Sequence, residues 1–136
     1  MIDQDTVAEL EELTQCIKDS YERGVTMDKA EKLAGKFLYA QVVVAEQLKL
    51  VELNARMKKS GVKAIKSAVY MEAATKTDKK PSDTLLEHHV NRDTLVQGAQ
   101  NELDEAEIDT NTLERYYSIF REAHIFYRGI SKQSFT

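Results

Sequence analysis

Apolar residues recur at spacings of three and four along most of the chain, which is the period of an α-helix that buries one face. In the first segment the pattern consists of Val7, Leu10, Leu13, Ile17 and Tyr21. It predicts a helix over residues 5–23. Gly24 follows at its C-terminal end, where a positive φ is needed, and Thr26 is expected to cap the next helix.

The second segment predicts two helices joined by a hinge. Its apolar face consists of Leu33, Phe37, Val44, Leu48, Val51 and Ala55, with Gln41 as the one interruption. We expect a long helix over residues 27–59. Ser60-Gly61 should end or bend it, because glycine costs about 1 kcal/mol in a helix interior. A basic helix over 62–75 follows.

The third segment predicts a loop and then the last long helix. The polar stretch 75–83 contains the only proline and is expected to be a loop, after which Ser82 caps a short helix. Asn91 or Asp93 should cap a helix over 93–129, closed by Gly129. Its heptad-like face consists of Ala99, Leu103, Ala106, Thr110, Leu113, Tyr117, Phe120, His124 and Tyr127.

These elements predict an all-α fold in a single domain over residues 1–136. The architecture is a long helical hairpin, with a short N-terminal helix and a basic helix after the Gly61 hinge. Long, thin hairpins leave apolar surface that usually meets another subunit, so we expect a homo-oligomer.

The composition narrows the class of protein and its expected cellular compartment. Of 136 residues, 42% are apolar and one is cysteine, which excludes a disulfide framework and a cysteine-based zinc site and suits a reducing cytoplasm. The acidic N-terminus lacks the apolar core of a signal peptide. No apolar run approaches the roughly 18–20 residues of a membrane helix, so a cytoplasmic protein with no membrane partner is expected.

Charge is segregated along the chain although its net value is only −4. Residues 49–80 carry nine bases and three acids, a net +6, whereas residues 81–114 carry nine acids and one base, a net −8. The mean charge argues against indiscriminate binding of polyanions, but the basic block can form a local positive surface. The alternative is a solvated helix surface paired with acidic neighbours.

Motifs for catalysis, cofactors and metals are lacking in the sequence. The five glycines are too dispersed for a phosphate-binding loop, and neither of the two helical metal motifs, His-Glu-x-x-His and Glu-x-x-His, occurs. His88 and His89 would point about 100° apart on a helix, while His124 and Cys16 lie on helix faces where packing is the simpler interpretation. The acids of 102–109 spread around one helix. We therefore expect no enzymatic activity, no cofactor and no bound metal.

One group of residues suggests a function if the helix continues through or near Gly61. Arg56, Lys59, Lys63, Lys66 and Tyr70 are then spaced three and four apart and form one stripe. Lys58 and Lys49 flank it, and Lys76, Lys79 and Lys80 lie on the adjoining loop. Cations that track phosphates beside a ring that stacks on a base suit a single-stranded nucleic acid. The simpler alternative is a solubilising face on which Tyr70 packs.

The order of these pieces resembles the UvsY-type recombination mediators of T-even-like bacteriophages. The similarity lies in LNARMKKSG (53–61) at the end of a long helix, the polar interruption 75–83, and HVNRDTLVQ (89–97) leading into the last helix. That helix ends near Arg128-Gly129, as in the family. The likeness covers residues 27–130, mostly as layout.

The resemblance implies an oligomeric ring that binds single-stranded DNA, relieves the block imposed by single-strand-binding protein and helps to load a recombinase. The family's Ala-Arg motif, which contacts DNA, corresponds to Arg56. Two departures stand out: Asn54 replaces the family's lysine, and the interval from the arginine to Ser-Gly is one residue shorter. Lys58 and Lys59 lie inside that interval.

Three hypotheses follow. The first is a non-enzymatic, oligomeric, phage-encoded mediator that binds single-stranded DNA through Arg56, Lys58, Lys59, Lys63, Lys66 and Tyr70. The second is a helical structural or assembly protein, such as a scaffold, chaperone or virion component, whose acidic 102–109 region covers the basic stripe. The third is a regulator that binds an acidic protein through the same stripe.

Overall fold

A computed structural model describes residues 2–76 and 81–132, and this part of the chain contains four helices and no strand. The helices are α1 (Gln4–Arg23), α2 (Met27–Thr75), α3 (Asp83–Arg92) and α4 (Thr94–Lys132). The all-α prediction is confirmed. The chain divides into two compact units, the first from residues 1–50 and 109–136 and the second from residues 51–108. The single-domain assignment stays a prediction.

The end of α1 and the start of α2 form where the sequence predicts them, and α1 begins one residue before its predicted start. Asp3 caps α1, its carboxylate accepting a hydrogen bond from the Thr6 amide at 2.7 Å. Gly24 follows the helix with a φ of +77°, a conformation that residues with a Cβ rarely adopt. The Thr26 hydroxyl accepts from the Lys29 amide at 3.3 Å and caps α2.

Side-chain caps also mark the starts of α3 and α4. The Ser82 hydroxyl accepts from the Leu85 amide at 3.3 Å, as expected for the N-cap of α3. Asp93 accepts from the amides of Leu95 at 2.8 Å and Val96 at 3.3 Å. Of the two predicted caps of α4, Asp93 is therefore the one that forms.

Two predicted helix ends at glycines are not found. The helix α2 runs without a break through Ser60 and Gly61, so the predicted helices 27–59 and 62–75 are a single helix and no hinge separates the basic segment. One glycine costs only about 1 kcal/mol, and continued packing of the apolar face beyond it offsets that. The helix α4 likewise passes Gly129 and reaches Lys132. The tail 133–136 lies outside the described residues.

The first unit has an aromatic core. Phe37 of α2 is fully buried, and its ring lies 5.6 Å from that of Phe120 and 5.7 Å from that of Tyr127 on α4. The predicted apolar face of α1 is correct at Leu10 but wrong at Tyr21, which is 90% exposed. Near its end α1 turns Ser20 inward instead, and the Ser20 hydroxyl bonds the Tyr127 hydroxyl.

The second unit has an aliphatic core. Val69 of α2, Val90 of α3 and Val96 of α4 form a buried cluster, against which Ile65 and Tyr70 pack. The same unit also buries Val51, Val62, Leu86, Leu103 and Ala106. Within this unit α2 and α4 run antiparallel, because residue 58 meets residue 102 whereas the later residue 69 packs with the earlier residue 96.

Candidate nucleic-acid interface

A row of four cations follows one side of α2 in the second unit. Arg56, Lys59, Lys63 and Lys66 are spaced three, four and three residues apart, and the unbroken helix keeps them within about 80° of its circumference. Arg56, Lys59 and Lys63 are exposed, and Lys66 is half-buried. We call these four residues the basic stripe.

Acidic neighbours do not neutralise the exposed part of the basic stripe. Among the described residues, no ion pair involves Arg56, Lys59 or Lys63. Lys76 pairs with Glu72 at 3.0 Å on the last turn of α2. Lys79 and Lys80 lie outside the described residues. Three cations of the basic stripe therefore present their charge to solvent.

Lys58, which the sequence places beside the stripe, belongs to a helix–helix contact. Its ammonium lies 3.1 Å from a carboxylate oxygen of Glu102 on α4, and 40% of its side chain is exposed. By spacing, it falls between Ala55 and Val62 on the packed side of α2. Such a surface pair contributes about 0–1 kcal/mol, so Lys58 reads as part of the contact between α2 and α4.

Tyr70 of α2 packs against α3. Its ring packs against the Val69, Val90 and Val96 cluster, and its hydroxyl donates to the Asp83 carboxylate at 3.1 Å. This hydrogen bond to a carboxylate, with the nearby negative charge, raises the pKa of Tyr70 above its ordinary 10.0. The structure thus places Tyr70 in packing, the simpler of its two sequence interpretations.

The Tyr70–Asp83 bond gives a testable pH dependence. The bond requires the neutral phenol, so its contribution to stability is complete below pH 10.0 and is lost as the pH rises through the raised pKa. Replacing Asp83 with asparagine should lower the Tyr70 pKa toward 10.0. NMR titration of ring-labelled tyrosine measures this shift. An unchanged Tyr70 pKa in the variant would contradict the assigned cause.

Two grooves meet at Lys66. The first, of about 460 Å³, lies between α2 and α3 and is lined by Lys66, Ser67, Tyr70, Met71, Glu87, Val90 and Asn91. The second, of about 310 Å³, is lined by Lys66, Asn91, Val96, Gln97, Gln100 and Asn101. We call the second the amide groove. Sequence reasoning missed it, and its one signal was the density of carboxamides between residues 91 and 101.

Two acidic residues in the segment 102–109 of α4 contact other side chains, one on α2 and one on α4. Glu102 holds Lys58, and Asp104 accepts a hydrogen bond from the Gln100 carboxamide at 2.9 Å. Asp104, Glu105 and Glu107 are exposed. The segment therefore forms an ion pair with Lys58 and does not cover the exposed cations of the basic stripe.

A third side of α2 in the second unit is apolar and exposed. Leu53, Met57 and Met71 are 54%, 65% and 62% exposed, and the small residue Ala64 between them is also exposed. We call these four residues the apolar face. At 100° per residue, the buried side, the basic stripe and the apolar face each occupy a separate sector of the helix.

The residues considered for other chemistry lie in packed or open surroundings. His124 Nδ1 donates to the Ala34 carbonyl oxygen at 2.8 Å, Cys16 is half-buried, and His88 and His89 are exposed. No group of three or more His, Cys, Asp or Glu residues in the described ranges is arranged to hold a metal ion. Within those same ranges, no helix has an apolar stretch that could cross a membrane.

Comparisons with known proteins do not assign this chain to a family. The chain matches no known protein family, no curated protein and no solved structure.

Proposed function

We propose that this protein binds single-stranded DNA through the basic stripe of α2. The observation that carries the proposal is the state of Arg56, Lys59 and Lys63. They are exposed on one side of a continuous helix, and no ion pair holds them within the described residues, although the acidic part of α4 packs in the same unit. The assembly alternative expected that acidic region to cover them.

The dimensions of the basic stripe suit a single strand. From Arg56 to Lys66 the helix rises about 15 Å, and the cations form one narrow row. A flexible strand can follow such a row with its phosphates. The net charge of −4 and the acidic residues elsewhere repel a bulky duplex more than a thin strand that touches only α2.

The finer part of the proposal is a role as a recombination mediator, a non-enzymatic protein that helps to load a recombinase onto single-stranded DNA covered by single-strand-binding protein. Its support is the sequence resemblance in LNARMKKSG, the interruption at 75–83 and HVNRDTLVQ, although α2 does not end at LNARMKKSG as that layout implies. We assign Arg56 the role of the family's DNA-contacting arginine. The location that goes with this role is the cytoplasm of a phage-infected host.

Self-association is part of the same proposal. Leu53, Met57 and Met71, the large side chains of the apolar face, are more than half exposed, which is typical of a surface that another subunit covers. The basic stripe lies in a different sector of α2, so a homo-oligomer built on the apolar face keeps the cations accessible.

The test is fluorescence anisotropy of a labelled oligo-dT, titrated with the protein at several salt concentrations. Each phosphate contact with a single strand contributes a log–log slope of about −0.7. Three to four contacts predict a slope between about −2 and −3. Absence of binding at low salt would refute the proposed function.

Neutralising the exposed cations should abolish most of this binding. The variant R56Q/K59Q/K63Q retains good helix formers and leaves the buried side of α2 unchanged, so its helix content by circular dichroism should equal that of the wild type. We expect the affinity for oligo-dT at low salt to fall at least tenfold and the salt slope to fall by about 2.

A matched control carries the same change in net charge elsewhere. The variant K29Q/K32Q/R121Q removes two lysines and one arginine that are exposed in the first unit. Its affinity for oligo-dT should stay within about twofold of the wild type. Equal losses in the two variants would show a general charge effect and contradict the basic stripe as the site.

A helical assembly protein is the second candidate, and the apolar face is the observation that favours it. In that case the face binds protein partners and the basic stripe only improves solubility. Sedimentation combined with the anisotropy titration separates the two candidates. Self-association without any binding of oligo-dT would support the assembly protein, whereas salt-dependent binding supports the DNA-binding proposal.

A further inference from the structure

We infer that the amide groove is a subsite for one nucleobase of the single strand that lies on the basic stripe. This inference rests on the proposed function and deepens it. The groove lies between α2, the end of α3 and the start of α4 within the second unit, and Lys66 is the one lining residue to which the sequence analysis gave a role in binding.

Lys66 connects the two parts of the site. It is the last cation of the basic stripe, one helical turn beyond exposed Lys63, and it also lines the amide groove. A strand whose phosphates follow Arg56, Lys59 and Lys63 therefore arrives at the mouth of the groove. The base of the nucleotide whose phosphate pairs with Lys66 is the group placed to enter it.

The groove has the hydrogen-bonding chemistry of a base edge. The Nε2 atom of Gln100 donates to Asp104 at 2.9 Å, and that of Gln97 donates to the Asn91 carbonyl oxygen at 3.4 Å. Both bonds use the amide nitrogen, so the two carboxamide oxygens remain as acceptors. Base edges present the complementary N–H donors beside acceptors.

Asn101 adds both kinds of group. In the described part of the chain its carboxamide makes no hydrogen bond, so both its N–H donors and its oxygen acceptor are available. Val96 supplies an apolar part of the lining, and no carboxylate lines the groove. The lining therefore combines one cation, several carboxamides and an apolar patch. A nucleotide presents the matching groups, an anion beside a flat polar ring.

The inference is tested by comparing an ordinary mixed-sequence oligonucleotide with an abasic oligonucleotide of the same length. Both carry the same phosphates, so the abasic strand reports the basic stripe alone. We expect the wild type to bind the ordinary strand about tenfold more tightly, with the same salt slope for both, because hydrogen bonds to one base edge contribute discrimination of this order.

The variant Q97A/N101A removes two carboxamides of the groove and keeps good helix formers in α4. It should bind the abasic strand as the wild type does and lose most of the preference for the ordinary strand. The control Q4A/N111A removes two exposed carboxamides outside the second unit and should keep the preference. Circular dichroism verifies that the helices are retained.

The outcomes separate this inference from the proposed function. Equal wild-type affinities for the two strands would overturn the base subsite while leaving the basic stripe intact. A preference that survives in Q97A/N101A would also overturn the assignment to this groove. Failure of both strands to bind would refute the proposed function and the subsite together.

Discussion

Replacing Phe120 with alanine is expected to lower the free energy of unfolding by about 3–5 kcal/mol, the usual cost of removing a buried aromatic ring. Phe120 is fully buried, and its ring lies 5.6 Å from that of Phe37 and 5.8 Å from that of Tyr116. Removing it leaves a cavity beside Phe37. Urea denaturation followed by circular dichroism measures the loss.

Phe126 provides the matched control on the same helix. Its side chain is 60% exposed, so the change of phenylalanine to alanine removes the same atoms from a site largely in water. We expect a loss below about 1 kcal/mol. If the two variants lost similar stability, the assignment of the α4 face that packs on α2 in the first unit would be wrong.

The second large effect is expected at Leu86 in α3. This side chain is 2% exposed, and its replacement by alanine should cost about 2–5 kcal/mol. Because α3 is only ten residues long, it depends on tertiary packing for its stability. Hydrogen exchange of the α3 amides should therefore accelerate in this variant more than exchange in the aromatic core of the first unit.

Leu85 is the control for this experiment. It neighbours Leu86 in α3 but is 60% exposed. Its replacement by alanine should change stability by about 0.5 kcal/mol and leave the exchange of α3 nearly unchanged. Equal acceleration in both variants would show that α3 is not held through Leu86.

Much of the fold could be predicted because burial leaves a helical period in the sequence. None of the nine predicted heptad positions of α4 is exposed, and Gly24 and Asp93 mark real helix ends through their backbone and side-chain chemistry. The helix ends predicted at Gly61 and Gly129 are wrong because the low helix propensity of glycine is a weak effect compared with tertiary packing. A glycine that follows the last packed turn ends a helix, whereas one on the exposed side of a packed turn does not.

The candidate site was predictable only in part. Spacing placed Arg56, Lys59 and Lys63 on one side of a helix only on the condition that the helix continues past Gly61, which it does. The pairing of Lys58 with Glu102 and the hydrogen bond of Tyr70 to Asp83 depend on which helices meet and in which register. Such long-range contacts leave no local periodicity. The amide groove was missed for the same reason.

Under the proposed function, the shortness of the basic stripe limits how tightly one chain can hold a strand. Three or four phosphate contacts over about 15 Å make a modest, easily reversed attachment. The apolar face occupies another sector of α2, so neighbouring copies joined there would present several stripes to the same strand. Each further stripe would then act at a high effective concentration, and avidity rather than any single contact would set the residence time.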